Sequence, residues 1–194
     1  MTRATLILRI SIALQGVVFV IFSFSLVAKE PIGPAGRDPV AEWIWSAEAA
    51  DGTPWAVQGN AFFRRVFEIP GDAKIQDTVL DVGVDNAAQV FINGKPTGAY
   101  EGWSPLTRSD VARLLRPGKN VLSVAARNEH PGPAGLLVHL KVSFDGSVEP
   151  LVIASGHSWT ASSREETDWQ KSDADLAGFE PAKVVAENGG LPWG

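Results

Sequence analysis

The sequence predicts an all-β fold, an antiparallel β-sandwich or jelly roll, from three observations. Short apolar runs, several of them alternating with polar residues, recur along the chain between Gly, Pro, Asp and Asn. After residue 40 no stretch has the apolar spacing of an amphipathic helix over three turns. Helical segments do not alternate with strands as they do around a parallel sheet. Seven or more strands in one domain are therefore expected to pair as an antiparallel sandwich.

The clearest strand covers residues 136–144. Every second residue from Leu136 to Phe144 is apolar, whereas His139 and Lys141 lie at positions between them. A period of two places the apolar side chains on one face of a half-buried strand. The same reasoning predicts six more strands, the last of them weakly: 62–69, 78–84, 88–92, 121–127, 151–154 and 159–162.

Turn and helix signals lie between these runs. Asn93-Gly94 follows the third of the six runs directly, and this dipeptide readily supplies the two positive φ angles of a tight hairpin turn. Residues 110–115 are the one helix-like segment, with Ser109 or Asp110 as N-cap and a Pro-Gly pair as the stop. We expect a turn or two of helix there at most.

Residues 1–28 resemble an export signal. They contain Arg3 and Arg9, no acidic residue, and a nearly continuous apolar run over residues 10–28 that ends among small residues. Cleavage fits after Ser25 or after Ala28. The alternative is a retained helical anchor, because the 19-residue run just reaches the length that crosses a membrane. Both alternatives export the rest of the chain to the periplasm, the cell surface or the medium, and a membrane is a partner only if the segment is retained.

Residues 29–40 are predicted to be a linker, and residues 41–194 the β-sandwich domain. The linker contains three prolines and two glycines within residues 29–39, which prevents a regular element. Removal of Arg3 and Arg9 lowers the number of Lys and Arg from 17 to 15 against 22 Asp and Glu, a net charge of −7. Such an acidic domain argues against nucleic acid as a partner.

No catalytic motif is present in the sequence. The chain has no cysteine, no GxSxG, no HExxH and no phosphate-binding glycine loop. Glu165, Glu166 and Asp168 form an acidic cluster, and two carboxylates facing a cleft suffice for a glycosidase. Nothing in the sequence around them supplies the apolar surroundings that a general acid needs. They are therefore predicted to lie in a solvated loop, and the chain is predicted not to be an enzyme.

Three motifs carry a family resemblance. They are GVDNAAQVFINGK from Gly83, WSPLTRSDVARLLRPGKNVLSV from Trp103, and NEHPGPAGLL from Asn128. Their order resembles the galactose-binding-like jelly-roll domains attached to glycoside hydrolases. It is most similar to the rhamnose-binding modules of α-L-rhamnosidases, the family 67 carbohydrate-binding modules. Similarity near both ends of the domain extends the resemblance over residues 41–194.

The resemblance implies a calcium ion at one end of the sandwich that bridges to sugar hydroxyls. The motif positions that would hold it are Asp85, Asn86, Asn128 and the carbonyl of Pro133, with Trp103 against the sugar. Calcium takes about six to eight oxygen ligands, so this set leaves places for water or for vicinal sugar hydroxyls. The ring of Trp103 would offer an apolar surface to the C–H face of a sugar.

Each of these residues also has a structural alternative. Asp85-Asn86 lies between two predicted strands, where Asp and Asn form ordinary turns. Trp103 could instead cap one end of the sandwich, and the other tryptophans are assigned to the core or its edges.

The sequence thus predicts a non-catalytic carbohydrate-binding module of an exported protein. Its predicted partner is rhamnose or a similar hexose, and Ca²⁺ is its one predicted cofactor. The alternative is a structural or protein-interaction jelly roll with no sugar site, tethered to a membrane if the N-terminal segment is retained.

Overall fold

The computed structural model describes residues 39–46 and 54–194. The signal or anchor segment and most of the linker lie outside these residues. In chain order the strands are β1 (Trp43–Trp45), β2 (Trp55–Ala56), β3 (Gly59–Ile69), β4 (Ile75–Asp85), β5 (Ala87–Ile92), β6 (Lys95–Glu101), β7 (Thr107–Ser109), β8 (Gly118–Asn128), β9 (Gly132–Pro133), β10 (Gly135–Phe144), β11 (Leu151–Ala154), β12 (Thr160–Ser162), β13 (Glu180–Pro181) and β14 (Lys183–Ala186).

Two six-stranded sheets form the sandwich. The first has the order β14-β1-β10-β4-β7, with β11 also paired to β10, and the second has the order β13-β12-β3-β8-β5-β6. A separate short ladder joins β2 to β9. The pairs within both sheets are antiparallel. The prediction of an all-β antiparallel sandwich is therefore confirmed for the described residues.

The ladder between β10 and β4 shows how alternation builds the core. Leu140 pairs with Leu80 and Val138 with Val82, and all four side chains are buried. His139, between two of these positions, is only half-buried. Alternate residues of the two strands thus face the interior, as the period of two in the sequence predicts.

The Asn93-Gly94 turn is the tight hairpin that the sequence predicts. The φ angles are 52° at Asn93 and 75° at Gly94, both in the left-handed region that these residues tolerate. Asn93 also ties the hairpin to its neighbours. Its Nδ2 donates to the Leu114 carbonyl at 3.0 Å and to Asn120 Oδ1 at 2.8 Å, and its Oδ1 accepts from the Val121 N–H at 3.1 Å.

The predicted helical segment is a single 3₁₀ turn, Ala112–Leu114, whose N-cap is Val111 and not Ser109 or Asp110. Asp110 precedes it, and its Oδ1 accepts hydrogen bonds from the Ala112 N–H at 3.0 Å and from Thr78 Oγ1 at 2.6 Å. The Ala112 and Thr78 donors hold the pKa of the Asp110 carboxyl below its usual value. No helix in residues 39–46 or 54–194 has the length and apolar character needed to cross a membrane.

We expect Asp110→Ala to lower the free energy of unfolding at neutral pH by about 1 kcal/mol, because two hydrogen bonds are lost. Because the folded-state pKa is depressed, the carboxylate stabilises the fold above its ordinary pKa of 3.8, and this contribution disappears as the pH falls through the folded-state value. The difference in free energy between wild type and variant should therefore shrink in acid, as measured by denaturant unfolding over a pH series. Asp72→Ala, at an exposed aspartate in the turn after β3, is the control. A pH-independent difference would contradict the assignment.

Candidate functional site

Four strand termini meet at one end of the sandwich. In the first sheet Asp85, the last residue of β4, pairs with Gly135, the first residue of β10. In the second sheet Ala87, the first residue of β5, pairs with Arg127, next to the end of β8. Asn86 alone joins β4 to β5 and so connects the two sheets. We call this end, with the loops that leave it, the loop end.

Asn86 is held at the loop end by both its backbone and its side chain. Its N–H donates to the Arg127 carbonyl at 3.1 Å, and its carbonyl accepts from the Gly102 N–H at 3.0 Å. Its Oδ1 accepts from the Glu129 N–H at 2.8 Å, and its Nδ2 donates to Asp85 Oδ1 at 2.8 Å. The Asp85–Asn86 peptide bond is cis. These contacts bring the loop that follows β8 next to the connection between β4 and β5.

Asp85 is a buried carboxylate with neutral partners. Its residue is 7% exposed, and its Oδ2 accepts from Trp193 Nε1 at 3.0 Å while its Oδ1 accepts from Asn86 Nδ2. The ion pairs found among the described residues do not include Asp85. Burial of a carboxylate is costly when no opposite charge lies beside it. The Trp193 and Asn86 donors satisfy both oxygens of Asp85, and this carboxylate is the group that a cation at the loop end would use.

Asn128 lies next to Asn86 at the rim of the second sheet, because Asn86 hydrogen-bonds to the backbone of the residues before and after Asn128. Asn128 is 1% exposed, and its Nδ2 donates to the Val57 carbonyl at 3.0 Å. The amide nitrogen is thus committed to the protein. Oδ1, on the other branch of the amide, is the atom that a cation would use.

Pro133 belongs to the short ladder in which it pairs with Trp55. The next residue, Ala134, donates its N–H to the Pro54 carbonyl at 2.8 Å. Because hydrogen-bonded and non-hydrogen-bonded pairs alternate in an antiparallel ladder, Trp55 and Pro133 form a non-hydrogen-bonded pair. The Pro133 carbonyl therefore points away from β2 and is not used by this ladder.

These residues fit a calcium ion by the chemistry of their donor atoms. They offer one carboxylate, two amide oxygens and one backbone carbonyl, all hard oxygen ligands of the kind calcium prefers. The oxygens of Asp85 and Asn86 that accept a hydrogen bond each keep a further lone pair. Within the described part of the chain no three His, Cys, Asp or Glu residues are grouped so as to hold a metal. A cation at this site would have one charged ligand, the Asp85 carboxylate, and otherwise neutral oxygen ligands. Calcium binding stays a prediction.

Trp103 also lies at the loop end. It follows Gly102, whose N–H donates to the Asn86 carbonyl and whose carbonyl accepts from the Val84 N–H at 3.0 Å. The residue is 42% exposed, so part of its indole faces solvent. The structure thus places Trp103 beside the connection between the sheets, and a contact with sugar stays a prediction.

Trp193 is a residue of this site that the sequence alone does not assign. Its ring stacks on Trp43 with centroids 4.5 Å apart, and a Cβ at Gly135 would lie 2.6 Å from the ring. These two contacts hold the indole where its N–H meets the Asp85 carboxylate. The sequence signal for this contact is Gly135 in the Pro-Ala-Gly motif, because only glycine permits a ring to approach the backbone so closely.

The acidic cluster lies at the other end of the sandwich. Glu165, Glu166 and Asp168 line an open depression of about 640 Å³ next to the Asn93-Gly94 hairpin, and that hairpin is at the opposite end of β5 from the loop end. Each carboxylate has a local partner: Glu165 Oε1 accepts from Trp169 Nε1 at 3.1 Å, Glu166 Oε1 accepts from the Gly178 N–H at 2.7 Å, and Asp168 pairs with Lys171 at 2.9 Å. These contacts are typical of a structural loop.

We expect Trp193→Phe to lower the free energy of unfolding by about 1–3 kcal/mol, because the buried Asp85 carboxylate loses one of its two donors while an aromatic ring is kept. Denaturant unfolding followed by circular dichroism measures the change. Trp169→Phe is the matched control, since it removes an indole donor from Glu165, which is exposed. Equal losses in the two variants would contradict a specific contribution from the Trp193–Asp85 hydrogen bond.

The chain has a relative of similar sequence among glycoside hydrolases. No family model matches it. It is 31% identical over 176 residues to an α-L-rhamnosidase of Streptomyces avermitilis, an alignment that covers 86% of this chain and 16% of that enzyme. The crystal structure of Streptomyces avermitilis α-L-rhamnosidase complexed with L-rhamnose matches with a TM-score of 0.72 and 30% identity, over 79% of this chain and 15% of that one.

More distant structures share the fold. A lectin from Pleurotus ostreatus, solved in complex with GalNAc, matches with a TM-score of 0.71 and 21% identity, over 80% of this chain and 46% of the lectin. At that identity the likeness concerns the fold alone. The present chain spans about one sixth of the length of the Streptomyces enzyme, as its 16% coverage gives. The chain is therefore homologous to a part of the α-L-rhamnosidases.

Proposed function

We propose that residues 41–194 form a non-catalytic, galactose-binding-like carbohydrate-binding module of an exported protein. The module holds a terminal rhamnose, or a similar hexose, through a Ca²⁺-assisted site at the loop end. The observation that carries this proposal is that Asp85, Asn86, Asn128 and Pro133, from two loops far apart in the sequence, lie at one end of the sandwich. The homologous Streptomyces enzyme, crystallised with L-rhamnose, supports rhamnose as the sugar to test first.

Each residue has a role in this proposal. Asp85 supplies the charge, Asn86 and Asn128 supply amide oxygens, and Pro133 supplies a carbonyl. When bound, Ca²⁺ would provide about two to four further coordination positions for vicinal sugar hydroxyls. Trp103, partly exposed beside these residues, would contact the apolar face of the same sugar.

Binding without turnover is the proposed activity. The aligned segment is 16% of the Streptomyces enzyme, so the hydrolytic activity of that enzyme is not carried over to this chain. The described acidic cluster is at the end opposite the loop end, and its carboxylates have structural partners.

We expect calorimetric titration with L-rhamnose to give saturable heat in Ca²⁺ and none in a chelator, because the sugar hydroxyls would be ligands of the ion. Asp85→Asn keeps the shape of the side chain and removes its charge, and should weaken rhamnose binding by about tenfold or more. Asp168→Asn, at the other end of the sandwich, is the control and should bind like wild type. The absence of heat at millimolar rhamnose, with and without Ca²⁺, would refute the proposal.

A second candidate is a structural or protein-interaction domain, tethered to a membrane if the N-terminal segment is retained. The side-chain hydrogen bonds of Asn86 to Asp85 and Glu129 favour it, because an ordinary Asp-Asn turn satisfies its polar groups in this way. Val40 and Leu191 are 71% and 85% exposed and offer apolar contacts to another domain. The calorimetric titration separates the two candidates.

Export is tested by the N-terminus of the protein in the cells that make it. We expect a mature chain that begins at Leu26 or Lys29, since cleavage after Ser25 or Ala28 fits the signal pattern. N-terminal sequencing of the soluble exported fraction and of the membrane fraction gives the answer. An intact chain in the membrane fraction would favour the tethered candidate, and an intact chain in the cytosol would contradict export.

A further inference from the structure

Two tryptophans differ from the rest in exposure, and both are at the loop end. Trp55 is 63% exposed and Trp103 is 42% exposed. The remaining five, of seven in the chain, are at most 7% exposed: Trp43, Trp45, Trp159, Trp169 and Trp193. An indole is a large apolar group that a fold normally buries, so an exposed one on a well-held segment marks a surface for binding.

The backbone around Trp55 is attached to the loop that carries two of the predicted calcium ligands. Trp55 pairs with Pro133, and the carbonyl of the residue before it, Pro54, accepts from the Ala134 N–H at 2.8 Å. Two residues later, the Val57 carbonyl accepts from Asn128 Nδ2 at 3.0 Å. Trp55 is therefore held on both sides against the proposed sugar site, although its ring faces solvent.

The strand order places the two exposed indoles on different sides of the proposed ligands. In the second sheet β8 and β5 are neighbours, and Asn128 and Asn86 lie at their ends. β3, on the outer side of β8, follows the segment of Trp55, and β6, on the outer side of β5, precedes Trp103. A ligand that extends from the proposed calcium site toward β3 would therefore reach Trp55 and not Trp103.

We propose that Trp55 forms a second subsite, which contacts the sugar ring attached to the terminal sugar. This inference rests on the proposed function. A pyranose ring has an apolar C–H face and polar edges, and an exposed indole complements such a face without needing a charge. Val57, which is 77% exposed two residues further on, extends the apolar surface on the same side of the segment. The preferred ligand of the module is thus an oligosaccharide with a rhamnosyl end, not the free monosaccharide.

Calorimetry with two sugars in Ca²⁺ tests the second subsite: L-rhamnose, and rutinose, in which an L-rhamnosyl unit is joined to glucose. Wild type should bind rutinose more tightly than rhamnose. Trp55→Ala should leave rhamnose affinity unchanged and weaken rutinose binding by roughly three- to tenfold, the range of an aromatic contact. Trp55→Phe keeps a ring and should retain most of the gain. Val148→Ala, which truncates an exposed side chain after β10, at the opposite end, is the control.

The two proposals fail in different ways. If wild type binds rutinose no more tightly than rhamnose, or if Trp55→Ala weakens both sugars equally or neither, the second subsite is refuted while Ca²⁺-dependent rhamnose binding stands. If wild type binds neither sugar in Ca²⁺, the proposed function is refuted and the subsite with it. Thermal unfolding of each variant establishes that the affinities are measured on folded protein.

Discussion

The register between β4 and β10 is the constraint on which the core and the candidate site both depend. The ladder runs from Gly135 opposite Asp85 to Phe144 opposite Ile75. A slip by one residue would turn the buried alternate residues of one strand toward the other face. The same slip would pair Asp85 with a residue other than Gly135 and so change its position relative to Pro133. One set of backbone hydrogen bonds thus determines both the packing of the interior and the approach of the proposed oxygen ligands.

The loop end contains a buried carboxylate whose hydrogen-bond donors are held in place by packing. Asp85 is buried, and its two carboxylate oxygens accept hydrogen bonds from Asn86 and Trp193. The Trp43–Trp193 stack and the glycine at position 135 hold one of those donors rigidly. A cation bound there, as proposed, would add an opposite charge to these hydrogen bonds and would link stability to binding.

Much of the sandwich could be predicted, because parts of its long strands alternate between buried and half-buried residues, as Val138 to Phe144 of β10 do. Other strands lack that signal. β6 is an edge strand that contains Pro96 and Gly98 and is mostly exposed, so no apolar period marks it. The candidate ligands were predicted from a family resemblance, whereas the hydrogen bond between Trp193 and Asp85 joins residues 108 positions apart and has no local pattern. The sequence assigns Trp55 to the core or its edge, but the residue is 63% exposed. Exposure of an indole depends on tertiary contacts, which no local pattern reveals.

The connection at Asn86 restricts movement between the two sheets, because this one residue joins a strand of the first sheet to a strand of the second. A single residue spans at most about 3.6 Å, so this connection limits how far the two layers can slide or spread at this rim. We therefore expect less movement between the layers at this rim than at the opposite one. A rim that is stiff before a ligand arrives loses little conformational freedom when the ligand binds, which favours affinity in a small contact area.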